Sequence, residues 1–80
     1  MAFKQPQPFP LAMADADQPL RVVGLRAGRD LDRRLRDLGL NTGAELRVLQ
    51  RQGGGLLVRR GQARLAVGAG MAMNILVVPA

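Results

Sequence analysis

The sequence predicts a small, mainly β domain: an SH3-like barrel of five to six short strands with one inserted α-helix. Three observations lead there. The chain has only 80 residues, too few for two layered sheets of useful size. Its apolar residues fall in short β-branched or alternating runs separated by tight glycine turns. One segment alone carries a helical stripe. Short strands in so small a chain protect their edges best when the sheet bends strongly and closes on itself.

Residues 1–8 read as a flexible tail and residues 9–80 as the folded domain. Pro6, Pro8 and Pro10 interrupt any continuous apolar stretch beside Lys4, so a secretory leader is not expected. No segment approaches the roughly 20 apolar residues that cross a bilayer. The longest apolar runs, 11–14 and 75–80, are bounded by Asp15 and Asn74. A cytoplasmic protein without direct membrane insertion is the expectation.

Leu20-Arg-Val-Val-Gly-Leu25 is a β-branched run that suits a strand. In residues 30–38, Leu31, Leu35 and Leu38 fall at i, i+4 and i+7, one stripe of a two-turn helix. Asp30 is placed to cap it, and Asp32 lies in the first turn, where negative charge suits the dipole. Asp32 with Arg36, and Arg33 with Asp37, stand four apart and can pair on the wet side. Gly39 suits the left-handed position after the helix, with Leu40 folding back against Leu35 as in a Schellman ending.

Asn41-Thr-Gly43 is a turn. Residues 44–51 alternate, with Leu46 and Val48 on one face and Glu45, Arg47 and Arg51 on the other. Leu49 breaks that wet face. Gly53-Gly-Gly55 reads as a flexible loop. Residues 56–60 and 63–67 flank Gly61-Gln62, a two-residue type II′ hairpin turn. That turn pairs Arg60 with Ala63, Arg59 with Arg64, Val58 with Leu65, Leu57 with Ala66 and Leu56 with Val67. Val58, Leu65, Leu56 and Val67 share the buried face, and Arg59 opposes Arg64 on the exposed one. Residues 68–74 form a compact turn or a single helical turn. Residues 75–78 close the domain as a strand stopped by Pro79.

The charge is concentrated. The formal net charge is +6, and every arginine lies between Arg21 and Arg64, among only Asp30, Asp32, Asp37 and Glu45. A solvated arginine-rich surface and a face for an acidic partner both account for this. The Arg59–Arg64 pair sharpens the choice, because like charges directly across two strands are destabilising. Either they splay into solvent, or an anion or a partner's carboxylate relieves them.

Chemistry narrows further by what the chain lacks. It has no His, no Cys and no Ser, and its one Thr is Thr42. Without a nucleophile and base of the usual kinds, catalysis is not expected. Asp30 and Asp32 are explained by the helix start, and no third ligand stands at a recognised metal spacing. Met71 and Met73 read as packing fillers rather than soft-metal ligands. Gly53-Gly-Gly55 has no Lys-Ser/Thr after it, and Gly68-Ala-Gly70 lacks the third glycine of a dinucleotide fingerprint. No cofactor is expected. Both aromatic residues, Phe3 and Phe9, lie near the N-terminus, so the strands carry no stacking platform for single-stranded nucleic acid. Only salt-sensitive, non-specific phosphate binding through arginine is supported.

Several pieces taken in order resemble the FeoA family, small cytosolic accessory proteins of ferrous-iron uptake. They are Leu20-Arg-Val-Val-Gly-Leu25, Arg33-Arg-Leu-Arg-Asp-Leu-Gly-Leu40, Thr42-Gly43 before an alternating strand, Ala63-Arg-Leu-Ala-Val-Gly68 and Met71-Ala-Met-Asn-Ile-Leu-Val77. The resemblance covers residues 11–78. Its most specific element is Leu35-x-x-Leu38-Gly39-Leu40 followed by Gly43, although Asn41-Thr42-Gly43 stands where the family commonly has Thr-Pro-Gly. Leu35, Leu38, Gly39, Leu40 and Gly43 look structural, so the family supplies no catalytic site.

What the resemblance implies is an SH3-like barrel with an inserted helix, and partnership with the cytosolic GTP-binding domain of a membrane ferrous-iron transporter. A similar module ends iron- and manganese-responsive repressors, after their DNA-binding helices, and a repressor is not the expectation for these 80 residues. The expected function is therefore a non-enzymatic accessory protein that binds and modulates that GTPase. The candidate contact residues are Arg33, Arg34 and Arg36 on the helix, or Arg59 and Arg64 on the hairpin. The alternative is a basic SH3-like nucleic-acid-binding module without sequence specificity. A weak homo-oligomer through an open sheet edge is a further expectation.

Overall fold

The computed structural model describes residues 7–26 and 29–80. Among these, six antiparallel strands form one sheet: β1 (Phe9–Pro10), β2 (Pro19–Leu25), β3 (Glu45–Gln52), β4 (Gly55–Arg60), β5 (Ala63–Gly68) and β6 (Ile75–Pro79). The helix α1 (Arg29–Asp37) is inserted between β2 and β3, and a second, shorter helix α2 (Ala69–Asn74) joins β5 to β6. The order across the sheet is β1-β6-β2-β3-β4-β5. This is the expected small SH3-like barrel.

Alternation builds its interior. Leu20 and Val22 on β2, Leu46 and Val48 on β3, Leu56 and Val58 on β4, and Ile75 and Val77 on β6 are all buried. Each pair is two residues apart, so each strand turns one face inward. Every one of the largest fully buried side chains is Leu, Ile or Val, and each contributes about 1.5–3 kcal/mol by leaving water. Among the described residues no polar or charged side chain is buried.

The β4–β5 hairpin has the register read from its turn, from Arg60 opposite Ala63 to Leu56 opposite Val67, and extends it to Gly55 opposite Gly68. Gly61 has φ +59° and Gln62 does not share the positive region, the pattern of a type II′ turn. Gly53-Gly-Gly55 differs from the expected loop. Gln52 pairs with Gly55, so the connection shrinks to two residues and Gly55 belongs to the sheet. Only glycine fits there: a Cβ on Gly55 would stand 2.5 Å from the Val67 carbonyl oxygen.

The helix α1 ends as the sequence suggests. Gly39 has φ +76°, its N–H donates to the Arg36 carbonyl at 3.0 Å, and the Leu40 N–H donates to the Leu35 carbonyl at 2.7 Å. These are the two hydrogen bonds of a Schellman motif. Leu35 and Leu40 are fully buried. Leu38 is not: the helix stops at Asp37, and Leu38, in the turn, is 36% exposed. At the other end α1 begins at Arg29, so Asp30 and Asp32 both lie in its first turn and Asp30 is not the cap. The Asp32–Arg36 ion pair forms at 3.1 Å, and no Arg33–Asp37 pair forms.

Two further differences come from contacts between distant parts of the chain. The sheet bends but its ladder does not close, since β1 and β5 are its two edges. A 3₁₀ turn (Leu11–Met13) and α2 pack together and cover the gap between them, with Leu11 and Ala72 fully buried. The strand β1 arises because Phe9 and Pro10 add to the edge of β6, opposite Val77 and Leu76. Edge strands tolerate proline, which has no N–H for an inner ladder. The tail expected over residues 1–8 falls outside the described residues as far as residue 6. Gln7 and Pro8 are exposed and carry no regular structure.

Candidate functional site

The polar face of the sheet gathers arginine. Arg59 on β4 lies opposite Arg64 on β5, as the hairpin register requires. On its other side Arg59 lies opposite Arg47 on β3. Three guanidinium-bearing residues therefore form one row across three adjacent strands, and all three are exposed. None makes an ion pair among the described residues.

Arg47 was absent from the contact residues read from sequence, and the reason is a bulge. From Gln52 opposite Gly55, the pairs run back as Arg51 with Leu56 and Gln50 with Leu57, and then skip Leu49 to give Val48 with Val58 and Arg47 with Arg59. An unbroken ladder would set buried Val48 opposite exposed Arg59. One extra residue on β3 reconciles the two faces. Leu49, which broke the alternation in the sequence, was the available signal.

Local hydrogen bonding holds the row's centre. The Arg59 Nε–H donates to the Gly61 carbonyl at 2.9 Å, within its own hairpin turn. Its two terminal nitrogens remain without a partner among the described residues. Glu45 is engaged elsewhere, with Arg21 Nη2 3.1 Å from Glu45 Oε1. A shallow groove of about 390 Å³ runs beside the row, lined by Pro19, Glu45, Arg47, Arg59, Gly61 and Ala80 among others.

The arginines of α1 form a separate set. Arg33, Arg34 and Arg36 are exposed, but Arg36 is matched by Asp32. The helix carries four arginines and three aspartates, so its net charge is only +1. The sheet row concentrates charge where the helix largely cancels it.

Guanidinium groups are planar, permanently charged and donors only, so the row suits carboxylates or phosphates. Among the described residues no group of three His, Cys, Asp or Glu is placed to hold a metal ion. None of the helices there is long and apolar enough to cross a membrane.

Comparison with known proteins agrees with this architecture. Residues 9–79 match the family model described as the FeoA domain. A protein of Methanocaldococcus jannaschii, provisionally named Fe(2+) transport protein A, is 33% identical over 69 residues, covering 86% of this chain and 84% of its own. The crystal structure of an iron uptake regulatory protein (FeoA) has a TM-score of 0.81 at 28% identity, covering 89% of this chain and 95% of that one. The solution structure of FeoA from Chlorobium tepidum has a TM-score of 0.80 at 30% identity, covering 89% and 70%. A manganese-dependent transcriptional repressor shares the fold, with a TM-score of 0.85 at 24% identity over 96% of this chain and 44% of its own. Aliphatic core, Schellman-ended helix and strand order thus agree with a match spanning nearly the whole sequence: the chain belongs to the FeoA family.

Proposed function

We propose that this protein is a non-enzymatic, cytoplasmic accessory protein of ferrous-iron uptake that binds and modulates the GTP-binding domain of a membrane iron transporter. The observation that carries the reading is the FeoA match over residues 9–79, beside a relative named for Fe(2+) transport. The surface supports a binding role. Arg47, Arg59 and Arg64 on the sheet make no ion pair among the described residues, and an acidic partner would be steered to them by the summed field of a chain of net charge +6. Residues 9–80 act as the folded unit, with 1–8 as its tail. The arginines of α1 and of the hairpin are the proposed contacts, the hairpin set being the stronger because neither Arg59 nor Arg64 makes an ion pair among the described residues.

The test is titration calorimetry of the purified chain against the transporter's isolated cytosolic GTPase domain, with and without guanine nucleotide. Saturable binding, and slower ferrous-iron uptake in cells lacking this protein, are the expected results. No binding in any nucleotide state would overturn the reading. Retention on duplex DNA with a salt slope near −0.9 per neutralised phosphate would favour the nucleic-acid alternative instead.

A further inference from the structure

We infer that the row formed by Arg47, Arg59 and Arg64 receives an acidic helix of a protein partner, laid across β3, β4 and β5. This deepens the reading above and rests on it, since it assumes that the protein works by touching another protein.

The inference starts from spacing. Directly opposed residues on neighbouring antiparallel strands have Cα atoms about 4.5–5.5 Å apart. The row therefore sets an arginine Cα at each such step, perpendicular to the strands. Carboxylates on one face of a helix, at i, i+4 and i+7, repeat at about 5–6 Å between Cβ atoms. On an extended chain, same-face residues repeat at about 6.4–6.8 Å, twice the rise per residue. Over two steps the helix stays in phase with the row, whereas a strand runs ahead of it.

Charge points the same way. Like charges facing each other across strands cost some tenths of a kcal/mol per pair, and this row contains two such pairs in succession. None of the three arginines makes an ion pair among the described residues, and Glu45, in the groove beside them, pairs with Arg21. A partner that supplies carboxylates relieves that repulsion as it binds. Arg59 is also partly pre-organised: its Nε–H is tied to the Gly61 carbonyl, so less side-chain freedom is lost on docking.

The experiment uses the full-length chain and two stapled or linear peptides of equal charge. One is a stapled helix with Glu at i, i+4 and i+7; the other is an extended peptide with Glu at i, i+2 and i+4. Nitrogen–proton NMR titration at low salt should show the helix binding more tightly, with shifts clustered at Arg47, Arg59 and Arg64. Arg59→Gln should weaken it roughly tenfold, the loss of one charge-assisted hydrogen-bonded pair, while leaving the unbound spectrum otherwise folded. Arg34→Gln, on α1, should leave it unchanged. Equal binding of both peptides, or shifts centred on α1, would overturn the inference. The GTPase domain separates the two readings. If it binds wild type and the Arg47→Gln/Arg59→Gln/Arg64→Gln variant alike, the partner reading stands and this docking surface falls. If it binds neither while the helical peptide still binds the row, the transporter reading falls and the surface stands.

Discussion

The guanidinium of Arg60 lies against Gly39, its carbon 3.3 Å from where a Cβ would project. The end of the hairpin thereby touches the last turn of α1, where a cation complements the negative end of the helix dipole. Gly39 is needed twice, for its φ of +76° and for the room it leaves Arg60. Gly39→Ala should cost about 1–2 kcal/mol from the left-handed conformation alone, read as a lower midpoint in urea unfolding. Arg60→Ala should cost less, about 0.3–1 kcal/mol, and that loss should shrink in high salt.

Gly55 is constrained by approach rather than by dihedral angle. Adding one methyl places it 2.5 Å from the Val67 carbonyl oxygen and 3.3 Å from the Val67 carbonyl carbon, neither of which is free to rotate away. Gly55→Ala should destabilise by about 1–3 kcal/mol through forced backbone shifts. Gly54→Ala, whose Cβ would meet nothing nearer than 4.0 Å, serves as the control. Comparable thermal midpoints for the two variants would contradict this account.

Arg64→Glu converts one repulsive cross-strand pair into an attractive one. Its expected effect is a gain in stability of about 0.2–1 kcal/mol at low salt, lost as ionic strength rises. The same change should weaken binding of an acidic partner. Opposite signs for stability and binding identify a surface kept for recognition; a variant less stable at low salt would contradict the row's repulsion.

Leu35 anchors α1, since it is the helix's one fully buried side chain among those described. Leu35→Ala should cost about 2–5 kcal/mol. Hydrogen exchange should show α1 opening before the sheet. Leu38→Ala, at a half-exposed position, should cost far less.

The boundary between what the sequence revealed and what it hid follows contact range. The β4–β5 register was legible because a two-residue glycine turn leaves its flanking strands no other alignment. The Schellman ending was legible because it is local, written in the six successive residues Leu35 to Leu40. Leu38 was misplaced because period alone extends the stripe past the residue where the helix stops. Asp30 was misassigned because helix starts are uncertain by a residue or two.

The candidate surface divides in the same way. Arg59 facing Arg64 is a local consequence of Gly61-Gln62. Arg47 joins them only because β3 bulges at Leu49, and that bulge is imposed by burying Val48 opposite Val58.

By itself, then, the sequence determined the strands from β2 to β6, the helix α1, the aliphatic interior, the hairpin and the concentration of positive charge, all of which depend on residues close along the chain. Tertiary structure alone decided that Phe9 and Pro10 extend β6, that α2 and the 3₁₀ turn cover an unclosed ladder, and that two arginines become three in a row. Those outcomes require distant segments to be packed against one core. No local preference encodes which neighbour a strand will meet or where it must bulge to keep its apolar side inward.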